Sequence, residues 1–175
     1  MLLPEIQPSP GPVREAHFWP KWRLDDRGVE PDAFMQFENI DIIIEAKRRD
    51  DSGQYPQQLA KEWAACHKGG HAGDNHPLVL LAVGGAADDR ERIRLERGAQ
   101  DHLTANFPDV PGPIRLVGLK WKELYRRLSD AEQRGLLNNV SPVLVQDLKE
   151  VLDYFATAAR GSTWEISGKP CATSD

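Results

Sequence analysis

The sequence predicts an α/β fold in which helices flank a mixed β-sheet. Apolar, β-branched runs bounded by turn residues indicate buried strands, and apolar residues at helical spacing indicate the helices. Strands are predicted at 22–24, 40–46, 77–83 and 114–119. Helices are predicted at 55–67, from 88 past 103, at 121–128 and at 143–158. We expect one domain over 1–160, beginning with an irregular proline-rich arm at 1–20, and a mobile tail at 161–175.

Composition indicates an ordinary water-exposed globular protein. The residues are 40% hydrophobic and 28% charged, as in typical globular proteins. A length of 175 residues is enough for one domain with a hydrophobic core and short for two domains. No apolar run reaches membrane-spanning length, and the N-terminus lacks the features of a signal peptide. The two cysteines give no disulfide framework, so we expect a cytoplasmic location and no membrane partner.

Two carboxylates and a lysine are predicted to converge on one β-hairpin at about 29–48. A chain reversal at Glu38-Asn39 would pair residues whose numbers sum to 77, which places Asp32 opposite Glu45. Their Cβ atoms would then lie roughly 5 Å apart. Lys47 follows Glu45 by two residues and therefore projects from the same face. Two oxygen ligands and one ammonium are the minimal set for metal-assisted phosphodiester hydrolysis.

The sequence of this hairpin resembles the motif of the PD-(D/E)XK nuclease superfamily, which has the restriction-endonuclease-like fold. Pro31-Asp32 matches the PD element, and Glu45-Ala46-Lys47 matches the (D/E)XK element. The likeness covers roughly residues 22–85 and includes the glutamine-bearing segment that follows the lysine strand. It implies a mixed-sheet core of αβββαβ type flanked by helices, to which a C-terminal strand and further helices are added.

The resemblance implies a role for each motif residue. Asp32 and Glu45 would hold Mg²⁺, with Mn²⁺ as a substitute, and the backbone carbonyl of Ala46 would be a third ligand. Lys47 would position or activate the attacking water. The other interpretation of Glu45 and Lys47 is a solvated strand face, but a strand buried on both faces rarely ends in such a pair.

Four further residues are candidates for supporting roles. In the predicted register Glu30 faces Lys47, as a partner of the site, as a further metal ligand or as a surface acid. Gln54 and Gln58 fall at i and i+4 of the next helix and could reach the lysine strand or a phosphate, or could merely form its polar side. Glu15 occupies the place of an acidic residue that many family members carry on an N-terminal helix. The surrounding prolines leave little room for that helix, so we expect Glu15 to be a surface residue.

Net charge constrains the partners. The formal charge of −5 is unexpected for a nucleic-acid binder, because affinity depends heavily on neutralising phosphates. Binding would then rest on local basic patches, for which we expect Arg48 and Arg49 beside the motif and Lys120 and Lys122 near Trp121. DNA is the expected partner. A protein that recruits the chain to DNA, and a homodimer, are left open.

Several alternatives stay open beside the Mg²⁺-dependent nuclease. One is a non-catalytic or partner-dependent module on the same fold that binds nucleic acid or protein. Another is a nucleotide-binding domain around Gly84-Gly85, a turn between a strand and a helix that lacks the full phosphate-binding spacing. The group Cys66, His67, His71 and His76 could suggest zinc, but its spacing fits no closed four-ligand site.

Overall fold

The computed structural model describes residues 6, 10–49, 53–73, 76–86, 88–135, 143, 146–147 and 149–151. In chain order its elements are β1 Val13–Phe18, β2 Trp22–Leu24, β3 Arg27–Val29, β4 Ala33–Phe37, β5 Asp41–Ala46, α1 Pro56–Lys68, β6 Leu78–Val83, α2 Asp89–Asn106, β7 Leu116–Leu119 and α3 Trp121–Gln133. The predicted 143–158 helix is helical at the positions described between 143 and 151. Its remainder, the tail at 161–175 and Cys171 lie outside the described residues.

The predicted mixed sheet is present, with five strands in the order β1-β4-β5-β6-β7. Strands β1, β4 and β5 are antiparallel neighbours, whereas β6 and β7 run parallel to β5. The parallel connections pass through α1 and α2, which pack against each other on one face. Helices α1 and α2 and the strands from β5 onward lie where predicted, within a few residues at their ends, whereas α3 runs five residues beyond its predicted end at 128.

The sheet separates two apolar clusters. Ile43, Leu80 and Leu116 face α1 and α2, together with buried residues of those helices. Ile42, Val79 and Val117 point to the other face, where Trp121 and Leu124 of α3 pack. Since side chains alternate along a strand, the odd-numbered positions of β5 face α1, and Glu45 therefore belongs to that side.

The prediction of an irregular arm over 1–20 is wrong for Val13–Phe18. This segment forms edge strand β1, which pairs with β4 from Phe18 opposite Ala33 to Val13 opposite Phe37. The prolines precede the strand, and the carbonyls of Pro10 and Pro12 accept bonds from Asn39 and Glu38. An edge strand needs pairing on one side only, so an exposed polar sequence suffices.

The hairpin prediction needs one correction at its start. Residues Arg27–Val29 belong to a separate two-stranded ribbon with β2, not to the β4–β5 hairpin. The ribbon turns at Asp25-Asp26, where Asp25 adopts a left-handed conformation with φ +53°. The chain therefore joins β4 only after Glu30-Pro31, at the first motif residue.

Among the described helices, none combines the length and the apolarity that crossing a membrane requires.

Candidate active site at the end of strand β5

The register between β4 and β5 places the two motif carboxylates at one end of the hairpin. Ala33 pairs with Ile44, Phe34 with Ile43 and Gln36 with Asp41, so partner numbers sum to 77 as predicted. The turn closes with a Phe37 N–H to Ile40 C=O bond of 2.9 Å around Glu38-Asn39. Continued by one pair, this register sets Asp32 opposite Glu45 on the face that α1 covers.

Asp32 is fixed on both its backbone and its side chain. Its carbonyl accepts a bond from the Trp19 amide at 3.0 Å, which ties it to the end of β1. Its Oδ2 accepts the Ala46 N–H at 2.7 Å, which ties it to the end of β5. One carboxylate oxygen is thus committed to the protein, and the other can serve a ligand.

Glu45 and Lys47 form a close ion pair. Lys47 Nζ lies 2.5 Å from Glu45 Oε1, and Glu45 is only 4% exposed. Lys47 also donates to Gln58 Oε1 at 3.2 Å and lies 5.7 Å from the centre of the Tyr55 ring. The ammonium is therefore held between a carboxylate, an amide and an aromatic face, so it is positioned before any substrate arrives.

Helix α1 brings a third acid, Glu62, that the sequence motif did not reveal. Gln58 Nε2 donates to Glu62 Oε1 at 3.0 Å, while Glu62 Oε2 is buried without a hydrogen-bond partner among the described residues. Burial and, second, the charge of Glu45 raise the pKa of Glu62 to about 9. Sequence spacing could have indicated Glu62, because Gln58 and Glu62 lie one helical turn apart, next to the apolar stripe of Leu59, Trp63 and Cys66.

The two glutamines take different places. Gln54 is buried, and its amide donates to the carbonyls of Glu45 and Gly84 at 3.3 and 3.1 Å, which joins the ends of β5 and β6. Gln58 instead connects two side chains of the candidate site. The structure therefore brings Gln58 to the predicted site and gives Gln54 a role in holding its backbone.

Glu30 is placed differently from the prediction. It is exposed and lines a shallow groove with Tyr55, Gln58 and Glu62. The described contacts of Lys47 are with Glu45, Gln58 and Tyr55 rather than with Glu30. The reason is that the segment before Glu30 pairs with β2 and leaves the β4–β5 hairpin. Glu15 is an exposed residue of β1, bonded to His17 at 3.0 Å, as expected for a surface acid.

The donor set fits a hard divalent cation. No group of three or more His, Cys, Asp or Glu side chains among the described residues is arranged to hold a metal ion. Mg²⁺ needs few protein ligands because it keeps several waters. Asp32 and Glu45 each have one oxygen beyond their described bonds, and the buried Oε2 of Glu62 has no hydrogen-bond partner among the described residues. The Ala46 carbonyl as a further ligand stays a prediction.

The basic residues near the motif form one surface. Trp121 Nε1 donates to the Lys47 carbonyl at 2.7 Å, so the start of α3 packs on the segment that continues to Arg48 and Arg49. Arg48, Arg49, Lys120 and Lys122 are all exposed. Farther along α3, Arg126 and Arg127 are paired with Glu123. Lys120 and Lys122 therefore lie at the site end of the helix, and the paired arginines lie farther from it.

The turn at Gly84-Gly85 packs against the lysine segment. Gly84 has φ +68°, and its N–H donates to the Leu119 carbonyl at 2.8 Å. A Cβ at Gly84 would lie 2.7 Å from the Lys47 carbonyl oxygen. A side chain at position 84 would therefore clash with the lysine segment, which accounts for the glycine without a phosphate-binding role.

The four possible zinc ligands have separate surroundings. Burial raises the pKa of the Cys66 thiol to about 12, which disfavours the thiolate that a metal would need. His67 packs against Trp63, and His71 stacks on Trp22 with ring centres 4.9 Å apart. His76 Nδ1 instead lies 3.5 Å from Asp41 Oδ1.

The chain is similar in sequence to a bacterial protein. An uncharacterized protein of Pasteurella multocida (strain Pm70), PM0110, is 33% identical over 125 residues, which is 69% of this chain. The chain spans about half the length of that relative, 47%. No protein-family model matches the chain, and no solved structure matches it.

Proposed function

We propose that the protein is a metal-dependent nuclease that hydrolyses phosphodiester bonds in DNA. The supporting observation is the meeting of Asp32, Glu45 and Lys47 at the end of β5, on the face that α1 covers. Asp32 and Glu45 would hold Mg²⁺ or Mn²⁺. The chemistry that this cation supplies when bound is Lewis-acid stabilisation of charge on the phosphate oxygens.

Lys47 acts in this proposal as a hydrogen-bond donor. It is paired with Glu45, and an ammonium has three donors and no acceptor. Glu45 and Gln58 occupy two donors, and the third can orient the attacking water or neutralise charge on the phosphate. Such an electrostatic contribution is strong in a partly buried site because its donors are already in place.

Glu62 sets the charge of the site in the absence of a cation. With its pKa raised to about 9, Glu62 is protonated at neutral pH. The acids Asp32, Glu45 and Glu62 together therefore carry less negative charge than three ionised carboxylates would. A cation arriving at Asp32 and Glu45 would favour release of that proton. Metal affinity should therefore increase with pH, as expected when a ligand group must lose a proton.

Cleavage assays test the proposal directly. The purified protein is incubated with plasmid, single-stranded DNA and RNA, each with Mg²⁺, Mn²⁺ or EDTA. We expect DNA cleavage that requires the divalent cation and is abolished in Glu45→Gln and Lys47→Met. Only Glu45→Gln should also lower Mg²⁺ affinity by calorimetry, since an ammonium repels the cation. Glu15→Gln is the matched control, an acid removed from exposed strand β1.

Absence of cleavage by the wild-type protein would overturn the proposal. If the wild-type protein cleaves none of the substrates with either cation, the site is not a nuclease on its own. The non-catalytic module then becomes the better explanation.

We place the activity in the cytoplasm, in line with the cysteine content.

A further inference from the structure

A row of arginines on α2 continues from the candidate active site. Arg90 and Arg97 lie seven residues apart and therefore on the same helix face, about 10 Å apart along its axis. Both are exposed, and within the described part of the chain neither forms an ion pair. Arg94, between them, is paired with Glu91 through two bonds of 2.8 and 2.5 Å. The face thus presents two arginines outside the ion pairs of the described residues.

This arginine face is joined to the site through the start of α1. Arg90, Arg94 and Arg97 line a shallow groove whose other lining residues are Pro56, Ile93, Gly98 and one acid, Asp101. The Pro56 ring packs so closely on Gly98 that a Cβ there would lie 3.1 Å from it. The residue before Pro56 is Tyr55, whose ring lies 5.7 Å from Lys47 Nζ.

Tyr55 is unusual for an aromatic residue at the beginning of a buried helix. Its side chain is 62% exposed, although Leu59 one turn later is fully buried. An exposed ring beside a catalytic lysine, followed by arginines, has the composition of a surface that binds single-stranded nucleic acid. In such surfaces bases stack on aromatic rings and cations follow the phosphates.

We infer that a single-stranded DNA segment leaves the active site over Tyr55 and continues along the groove of Arg90 and Arg97. This inference rests on the proposed function, because it assigns the substrate path of the same site. It also addresses the charge of −5, since a short path with two unpaired arginines needs no net positive charge. Arg48, Arg49, Lys120 and Lys122 would hold the strand on the other side of Lys47.

Binding measured without cleavage separates the two proposals. Fluorescence anisotropy with a labelled single-stranded DNA oligonucleotide in EDTA gives affinity as a function of salt. Arg90→Gln/Arg97→Gln should weaken binding and lower the log–log salt slope by about 0.7 for each phosphate that is no longer neutralised. The control Arg14→Gln/Arg23→Gln removes two exposed arginines outside the groove and gives the same net charge, −7 after subtracting two from −5. It should keep the wild-type slope.

The aromatic residue has its own variants. Tyr55→Leu should weaken binding about tenfold at constant salt slope, whereas Tyr55→Phe keeps the ring and should bind like the wild type. A slope for the arginine variant equal to that of the matched control would overturn the path. The path would also be overturned if the arginine variant lost as much affinity for blunt duplex DNA as for single-stranded DNA. Tighter binding of the wild type to an RNA of the same sequence would overturn it as well. So would a wild-type dimer that the arginine substitutions abolish. Absence of cleavage with intact, arginine-dependent binding would instead overturn the nuclease proposal alone.

Discussion

The carboxyl group of Glu62 lies beside that of Glu45 under the end of strand β5, and Glu62 is 1% exposed. Two acids in this setting cannot both be charged without cost, so Glu62 holds a proton at neutral pH. Gln58 joins this pair to Lys47, with one amide atom bonded to each side. Helix α1 therefore determines how β5 presents its motif.

Folding stability should depend on Glu62 in the alkaline range. The pKa of Glu62 is raised from 4.5 to about 9, so the folded protein binds a proton that the unfolded chain has released. Stability from this group is complete below pH 4.5 and is lost as pH rises toward 9, with a slope of up to about 1.4 kcal/mol per pH unit. Glu62→Gln should remove this loss when unfolding in urea is measured between pH 6 and 9 in EDTA.

The control for this measurement is Glu123→Gln. Bonds from Arg126 and Arg127 lower the pKa of Glu123 to about 2, so its contribution is lost only in acid. It should leave the slope between pH 6 and 9 unchanged. An equal slope in the wild type and in Glu62→Gln would show that Glu62 is charged in the folded protein.

The sequence was sufficient for the register of β4 and β5 because that information is local. A β-branched run, a turn residue and strand alternation fix the register, and the structure confirms the sum of 77. Strand β1 was missed because its pairing with β4 is long-range, and the prolines before it suggested an irregular arm. Glu62 was missed because its burial depends on how α1 packs on the sheet, which helical spacing alone does not determine.

Asp32 should have separable structural and ligand-binding roles. Asp32→Asn keeps an oxygen that can accept the Ala46 N–H, whereas Asp32→Ala leaves that amide without its partner. We expect Asp32→Ala to lower the free energy of unfolding by about 1–3 kcal/mol and Asp32→Asn to lower it much less. Both should lose Mg²⁺ affinity in calorimetry, because both lose the charge. Equal stability of the two variants would mean that the Ala46 bond contributes little.

Gly84 should be required for the position of Lys47. Gly84→Ala places a methyl group 2.7 Å from the Lys47 carbonyl oxygen and forces a left-handed conformation that alone costs roughly 1–2 kcal/mol. We expect lower thermal stability together with reduced cleavage. Gly53→Ala is the control, because its Cβ would meet no atom within 4 Å. Wild-type cleavage by Gly84→Ala would show that the turn does not position the lysine.

Gln58 should act on turnover through Lys47 without holding the cation. Gln58→Leu keeps the bulk of the side chain but removes the acceptor at 3.2 Å from Lys47 Nζ and the donor to Glu62. A hydrogen bond to a charged group contributes about 1.5–3 kcal/mol, so loss of the ordered ammonium should lower kcat on the order of tenfold or more. KM for DNA should change little. Mg²⁺ affinity should fall less than in Asp32→Asn, because loss of the Gln58 bond raises the pKa of Glu62 further but removes no ligand of the cation. Gln57→Ala, at the neighbouring exposed position of α1, should leave kcat unchanged. A Gln58→Leu protein with normal kcat, or with Mg²⁺ affinity reduced as far as in Asp32→Asn, would show that Gln58 does not work by positioning the lysine.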